Sequence, residues 1–159
     1  VYASGGQDVN FREFEYEGRR SDILDNAFVV IDYENDVRAC LNLCMFAWRP
    51  DIHEQMSICG SDGALYAYDE PRNEIFVGPN DRSTAHRRIT VELPPQVRAT
   101  GTHSGSTYFE HLAFVEAVRS GGAAPIPAEA GLWAVAIGEA GERSAERGEP
   151  VYVEELLHS

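Results

Sequence analysis

At 159 residues the chain has the length of one domain and enough material to bury a substantial core. It is 43% hydrophobic and 25% charged, with a mean hydropathy of -0.31, which describes a folded chain rather than a disordered one. Its formal charge of -13 argues against nucleic acid and anionic membrane surfaces as partners.

All thirteen basic residues are Arg. With no Lys, neither Schiff-base chemistry nor a lysine general acid has a residue to use. Cys40, Cys44 and Cys59 form an odd set without a C-x-x-C pair, so neither a disulfide framework nor a zinc knuckle is expected. The apolar runs are too short to span a bilayer and the first residues carry no basic-then-apolar signal pattern, so a cytoplasmic location is expected. The opening VYASGG reads as a strand without an initiating Met, which suggests a fragment of a longer protein.

In chain order, residues 26–35 (NAFVVIDYEN) and the run VRACLNLCMFAW predict a hairpin turning at Glu34, Asn35 and Asp36. Alternation in the second strand places Val37, Ala39, Leu41, Leu43 and Met45 on a core face. The semi-polar face carries Arg38, Cys40, Asn42, Cys44 and Phe46. A second hairpin, EQMSICG with ALYAYD, turns at Ser61, Asp62 and Gly63, where the glycine can supply a positive φ. EIFVG and RITVEL add strands, separated by a polar loop. Thr107 and Glu110 form an S/T-x-x-E capping box that opens a helix stopped by Gly121 and Gly122. Its stripe of Tyr108, Leu112, Val115 and Arg119, widened by Phe114 and Val118, should lie on the sheet. A second helix is predicted over 128–147, with Leu132, Val135, Ala136, Ile137 and Ala140 buried and Gly148 and Pro150 ending it. Its glycines, Gly131, Gly138 and Gly141, suggest close packing on the sheet. Strands first and helices last predict a single α+β domain over 1–159, with an open, mainly antiparallel sheet covered by helices on one face. The other face should then be wet, or meet another domain or subunit.

Neither a G-x-G-x-x-G after a strand nor a G-x-x-x-x-G-K-S/T is present, so no nucleotide site is expected within this chain. The glycine pair in SGGQ, residues 4–7, reads as a turn. His103, Ser104, Ser106 and Tyr108 gather at a helix N-terminus, where free amides favour anionic or hydroxyl-rich ligands, although a plain loop with a helix cap has the same pattern. His53, His86 and His158 lack ligand spacing, and no metal site is expected. Paired acids such as Asp22 with Asp25 are too common in this composition to indicate a glycosidase pair. Arg49, between Trp48 and Pro50, can bind a sugar or carboxylate bidentately or serve as a rim ion pair.

THSGSTYFEHLAFVEAVRSGG followed by GLWAVAIGEAGERSAERGEPVYV resembles the C-terminal domain of the Gfo/Idh/MocA oxidoreductases. The likeness extends upstream through DILDNAFVVIDYENDVRACLNLCMFA and MSICGSDGALYAYDEPRNEIFVG to nearly the whole chain. What the resemblance implies is the substrate-binding and oligomerising domain of an NAD(P)-dependent dehydrogenase acting on a sugar, inositol or related polyol. Its implied partners are an N-terminal Rossmann domain, a sugar-like small molecule and further copies of itself met through the open sheet face, where Arg38, Asn42 and Phe46 lie. The family's glycine-rich cofactor loop, E-K-P lysine segment and D-x-x-x-H helix are absent from the chain. No catalytic or cofactor residue is therefore assigned, NAD or NADP is implied only for the full-length parent, and the chain alone is expected to be inert. His103, Ser106 and Tyr108, with Arg49, are the expected substrate-binding residues. Relatives that use nicotinamide transiently for glycoside cleavage or epimerisation, and a non-catalytic assembly module, are the alternatives.

Overall fold

The computed structural model describes residues 1–48, 54–98 and 103–157. In chain order its strands are β1 (Tyr2–Gly6), β2 (Glu15–Tyr16), β3 (Arg19–Arg20), β4 (Asn26–Asp32), β5 (Arg38–Cys44), β6 (Gln55–Cys59), β7 (Gly63–Tyr68), β8 (Glu74–Pro79) and β9 (Arg87–Thr90). The helices are α1 (Pro95–Arg98), α2 (Ser106–Ser120), α3 (Ala128–Arg147) and α4 (Glu154–Leu157), with a 3-10 turn at His103–Gly105 just before α2. The strands form antiparallel sheets in the orders β1-β4-β5, β2-β3 and β6-β7-β8-β9, an α+β architecture. The chain falls into two compact units, Val1–Ala47 with Ile126–Ser159, and Trp48–Pro125.

In the first unit, the predicted hairpin is β4 and β5, paired from Asn26↔Cys44 to Asp32↔Arg38. The SGG sequence lies within β1 rather than in a turn. A Cβ on Gly5 would sit 2.7 Å from the Asn26 carbonyl oxygen and 2.9 Å from the Ala27 Cβ, so the glycine permits close pairing with β4. One face of this sheet, with Ala3, Ala27 and Val29, forms a buried cluster flanked by Val1, Ile31, Leu43 and Ala145. Helix α3 covers it.

Helix α3 has the predicted bounds and ends at Gly148 in the left-handed region (φ 70), whose N–H donates to the Ser144 carbonyl oxygen at 2.8 Å. Its buried residues differ from the expected set. They are Ala136, Ala140, Gly141 and Ser144, while Leu132 and Val135 face solvent. The helix turns its smallest side chains to the sheet, and a Cβ on Gly141 would sit 3.7 Å from Val29 Cγ1, in ordinary van der Waals contact. Among the described residues, a Cβ on Gly131 or Gly138 would meet nothing within 4 Å. Ser144 is fully buried between two backbone groups: its Oγ accepts from the Ala3 N–H at 2.9 Å and donates to the Glu149 carbonyl at 2.7 Å. On the opposite sheet face Tyr2, Phe28 and Val30 are exposed beside Arg38, Cys40 and Asn42.

Asp25 is the other buried polar anchor of this unit. Its carboxylate accepts from the backbone N–H groups of Asp8 (3.0 Å), Val9 (2.7 Å) and Asn10 (2.6 Å), and from the Asn26 amide (2.9 Å). Burial pushes its pKa up, but these donors outweigh it and hold the carboxyl well below the ordinary value of 3.8.

In the second unit, β6 and β7 pair from Gln55↔Tyr68 to Cys59↔Ala64. Gly63 does not have a positive φ. It is required because a Cβ there would lie 2.5 Å from the Gly78 carbonyl oxygen of β8. Glu74, buried at the start of β8, pairs with Arg88 and, at 3.6 Å, with Arg72, whose guanidinium lies 4.5 Å over the Tyr68 ring. Helix α2 ends at Gly121 (φ 66) as predicted, yet none of its residues is buried. Leu112, Phe114, Val115 and Val118 are exposed, contrary to the expectation that this stripe lies on the sheet. Its first turn lies against the 3-10 turn that leads into it.

Candidate functional site

The β6–β7 register sets two carboxylates against each other. One step beyond the Gln55↔Tyr68 pair, the Asp69 N–H donates to the Glu54 carbonyl at 3.0 Å, so Glu54 and Asp69 sit across from one another at the open end of the hairpin. Both border a cleft of about 310 Å³ with Met56, Ala67, Ile75 and Val91 as its apolar lining. His103 approaches the same place from the 3-10 turn. Its Nδ1 lies 3.1 Å from Glu54 Oε1, and ligand atoms of Glu54, Asp69 and His103 all lie within 4.8 Å of one another.

Two features fix that turn. His103 adopts the left-handed region (φ 57), uncommon for a residue with a Cβ. Gly105 is left-handed as well (φ 76) and lies over Val97, which is 1% exposed; a Cβ on Gly105 would fall 1.8 Å from Val97 Cγ1. Only glycine fits there.

Gly105 is also the N-cap of α2, with no side chain capping it. The capping box expected at Thr107 does not form, because the helix begins earlier and places Thr107 in its first turn. Ser106, the first helical residue, is exposed. Tyr108 is half-buried, its ring edge-on to Phe109 at 5.7 Å. The polar partner given to His103 is thus Glu54, from the opposite end of the unit's sequence. Arg49, and the side chain of Ser104, lie outside the described residues. Sequence reasoning missed Glu54 and Asp69; the signal was available, since an acid flanks each strand of one hairpin and the register makes them neighbours.

A carboxylate only accepts hydrogen bonds, so the Glu54 contact requires a proton on Nδ1 of His103. When the imidazole is neutral, Nε2 is therefore left as an acceptor for a hydroxyl group. The arrangement can orient a hydroxyl-bearing ligand at the mouth of the cleft. It can also coordinate a cation.

The family model described as the oxidoreductase family C-terminal alpha/beta domain, Gfo/Idh/MocA, matches residues 2–153. The chain belongs to the Gfo/Idh/MocA oxidoreductase family. Its fold is shared with an oxidoreductase from Agrobacterium radiobacter solved in complex with NAD+, L-tartaric acid and magnesium (TM-score 0.73, 16% identity, 98% of this chain and 43% of that one). It is similar as well to a protein described as an oxidoreductase from Thermotoga maritima (TM-score 0.62, 18% identity, 93% and 38%). A third is described as an NADPH-dependent oxidoreductase from Desulfitobacterium hafniense (TM-score 0.63, 15% identity, 98% and 42%). The chain spans about two fifths of the length of these structures. No curated protein matches it significantly. Among the described residues, no helix is long and apolar enough to cross a membrane.

Proposed function

We propose that this chain is the substrate-binding and oligomerising part of an NAD(P)-dependent oxidoreductase whose substrate is a sugar, inositol or related polyol. In this reading an N-terminal Rossmann domain supplies the cofactor site and the proton-transfer groups. The present chain supplies the wall that orients the reacting hydroxyl, through His103, Ser106 and Tyr108 with Arg49. The observation that carries the reading is the family match over residues 2–153. It is supported by the His103–Glu54 pair at a cleft mouth, which suits a hydroxyl-rich ligand, and by the hydroxy acid in the Agrobacterium radiobacter complex. The sheet face on which Phe28 and Val30 are exposed supports the oligomerising role.

The test is a titration of the chain with inositols, aldoses and hydroxy acids, following ring and amide signals by NMR. Saturable shifts centred on His103, Ser106 and Tyr108 are expected with at least one of these classes. Shifts confined to the residues of the first unit, or none up to the solubility of the ligands, would contradict the assignment of this wall.

A further inference from the structure

We propose that Glu54, Asp69 and His103 form a binding site for one divalent transition-metal ion. This goes beyond the substrate reading above, with which it shares the His103–Glu54 contact. Three chain segments converge on it: the residue before β6, the residue after β7, and the 3-10 turn at His103–Gly105. The hydrogen-bonded end of the β6–β7 ladder sets the two carboxylates, and the packing of Gly105 on Val97 sets the imidazole.

The donor set and spacing fit such an ion. Carboxylate and imidazole ligands bind Mn, Fe, Co or Zn ions at about 2.0–2.2 Å, which places neighbouring ligand atoms about 3–3.5 Å apart. Glu54 Oε1 and His103 Nδ1 already stand 3.1 Å apart, and the full set lies within 4.8 Å, close to that spacing. Two carboxylates carry the charge that offsets a divalent cation, and one imidazole favours a transition metal over magnesium or calcium. Three protein ligands leave positions open toward solvent, where water or a ligand oxygen can complete the shell. In the metal-bound form Nδ1 coordinates the ion, so its proton and the direct hydrogen bond to Glu54 are given up together.

The experiment uses tag-free chain titrated with Mn2+, read by loss of the free-ion EPR signal, and with Co2+, read by paramagnetically shifted proton NMR signals. One ion per chain is expected, with a shifted imidazole signal that disappears in His103→Asn. His103→Asn and Asp69→Asn are each expected to weaken Mn2+ binding by about tenfold or more, while the double change Glu154→Gln with Glu155→Gln on α4 leaves it unchanged. Binding that is absent, that fails to saturate at one ion, or that is as tight in His103→Asn as in the unaltered chain would overturn the site. If a variant does not fold by circular dichroism, the Co2+-shifted imidazole signal of the unaltered chain decides alone. The sugar and hydroxy-acid titration is run without metal, so failure of one proposal is distinguishable from failure of the other.

Discussion

Replacing Ser144 by Ala removes a side chain that joins α3 to both β1 and the segment after the helix. The hydroxyl accepts from the Ala3 N–H at 2.9 Å and donates to the Glu149 carbonyl at 2.7 Å, and Ser144 is 0% exposed, so water does not readily replace it. An unsatisfied buried backbone N–H costs about 1–3 kcal/mol, and the second lost bond costs about 1 kcal/mol more. Ala favours the helix over Ser by about 0.5 kcal/mol, which returns a little. The net expectation is a loss of about 2–3 kcal/mol of stability, seen in urea as a lower midpoint at unchanged slope. In a chain of this size that corresponds to a fall in Tm of about 5–10 °C. Ser120→Ala serves as the comparison, because its exposed hydroxyl bonds to the Glu116 and Ala117 carbonyls of its own helix, and it should change stability by less than about 0.5 kcal/mol. If Ser144→Ala behaved like Ser120→Ala, the inference that this hydroxyl ties helix to sheet would be wrong.

Two further substitutions probe the anchors of each unit. Gly105→Ala puts a methyl group 1.8 Å from Val97 Cγ1 in a left-handed residue, so urea unfolding should show a loss of about 2–4 kcal/mol, partly restored by Val97→Ala in the same chain. A neutral Gly105→Ala would mean that the turn carrying His103 is not fixed as described. The Asp25 carboxyl has its pKa lowered by folding, so its contribution is complete above about pH 4 and is lost as the pH falls below 3.8 toward the folded-state value. Chemical unfolding across pH 2–7 should therefore show acid destabilisation that is smaller in Asp25→Asn, which in turn is less stable than the unaltered chain at neutral pH. Parallel pH profiles for the two proteins would remove Asp25 as the cause.

Local signals carried most of the element boundaries. The helix stops at Gly121 and Gly148, the β4–β5 and β6–β7 hairpins and the full extent of α3 follow from turn residues and periodicity that act within a few positions. Packing was less legible. The apolar stripe of α2 reads as a core stripe, yet Leu112 and Val118 are exposed, because an apolar pattern shows which face seeks burial without showing whether anything meets it. In α3 size overruled hydrophobicity: Ala136, Ala140 and Gly141 approach the sheet where Leu132 and Val135 could not. Of the candidate site, His103 was legible as a polar residue before a helix. Glu54 and Asp69 were passed over although the β6–β7 register makes them neighbours, and their meeting with His103 depends on a chain reversal of 49 residues that no local pattern records.

In the proposed division of labour this chain orients substrate while a separate domain binds the redox cofactor. It is tested most directly by titrating the purified chain with NADH and NADPH, reading nicotinamide fluorescence and the heat of binding. The account predicts no saturable binding of either cofactor. Saturation with a micromolar Kd would contradict it.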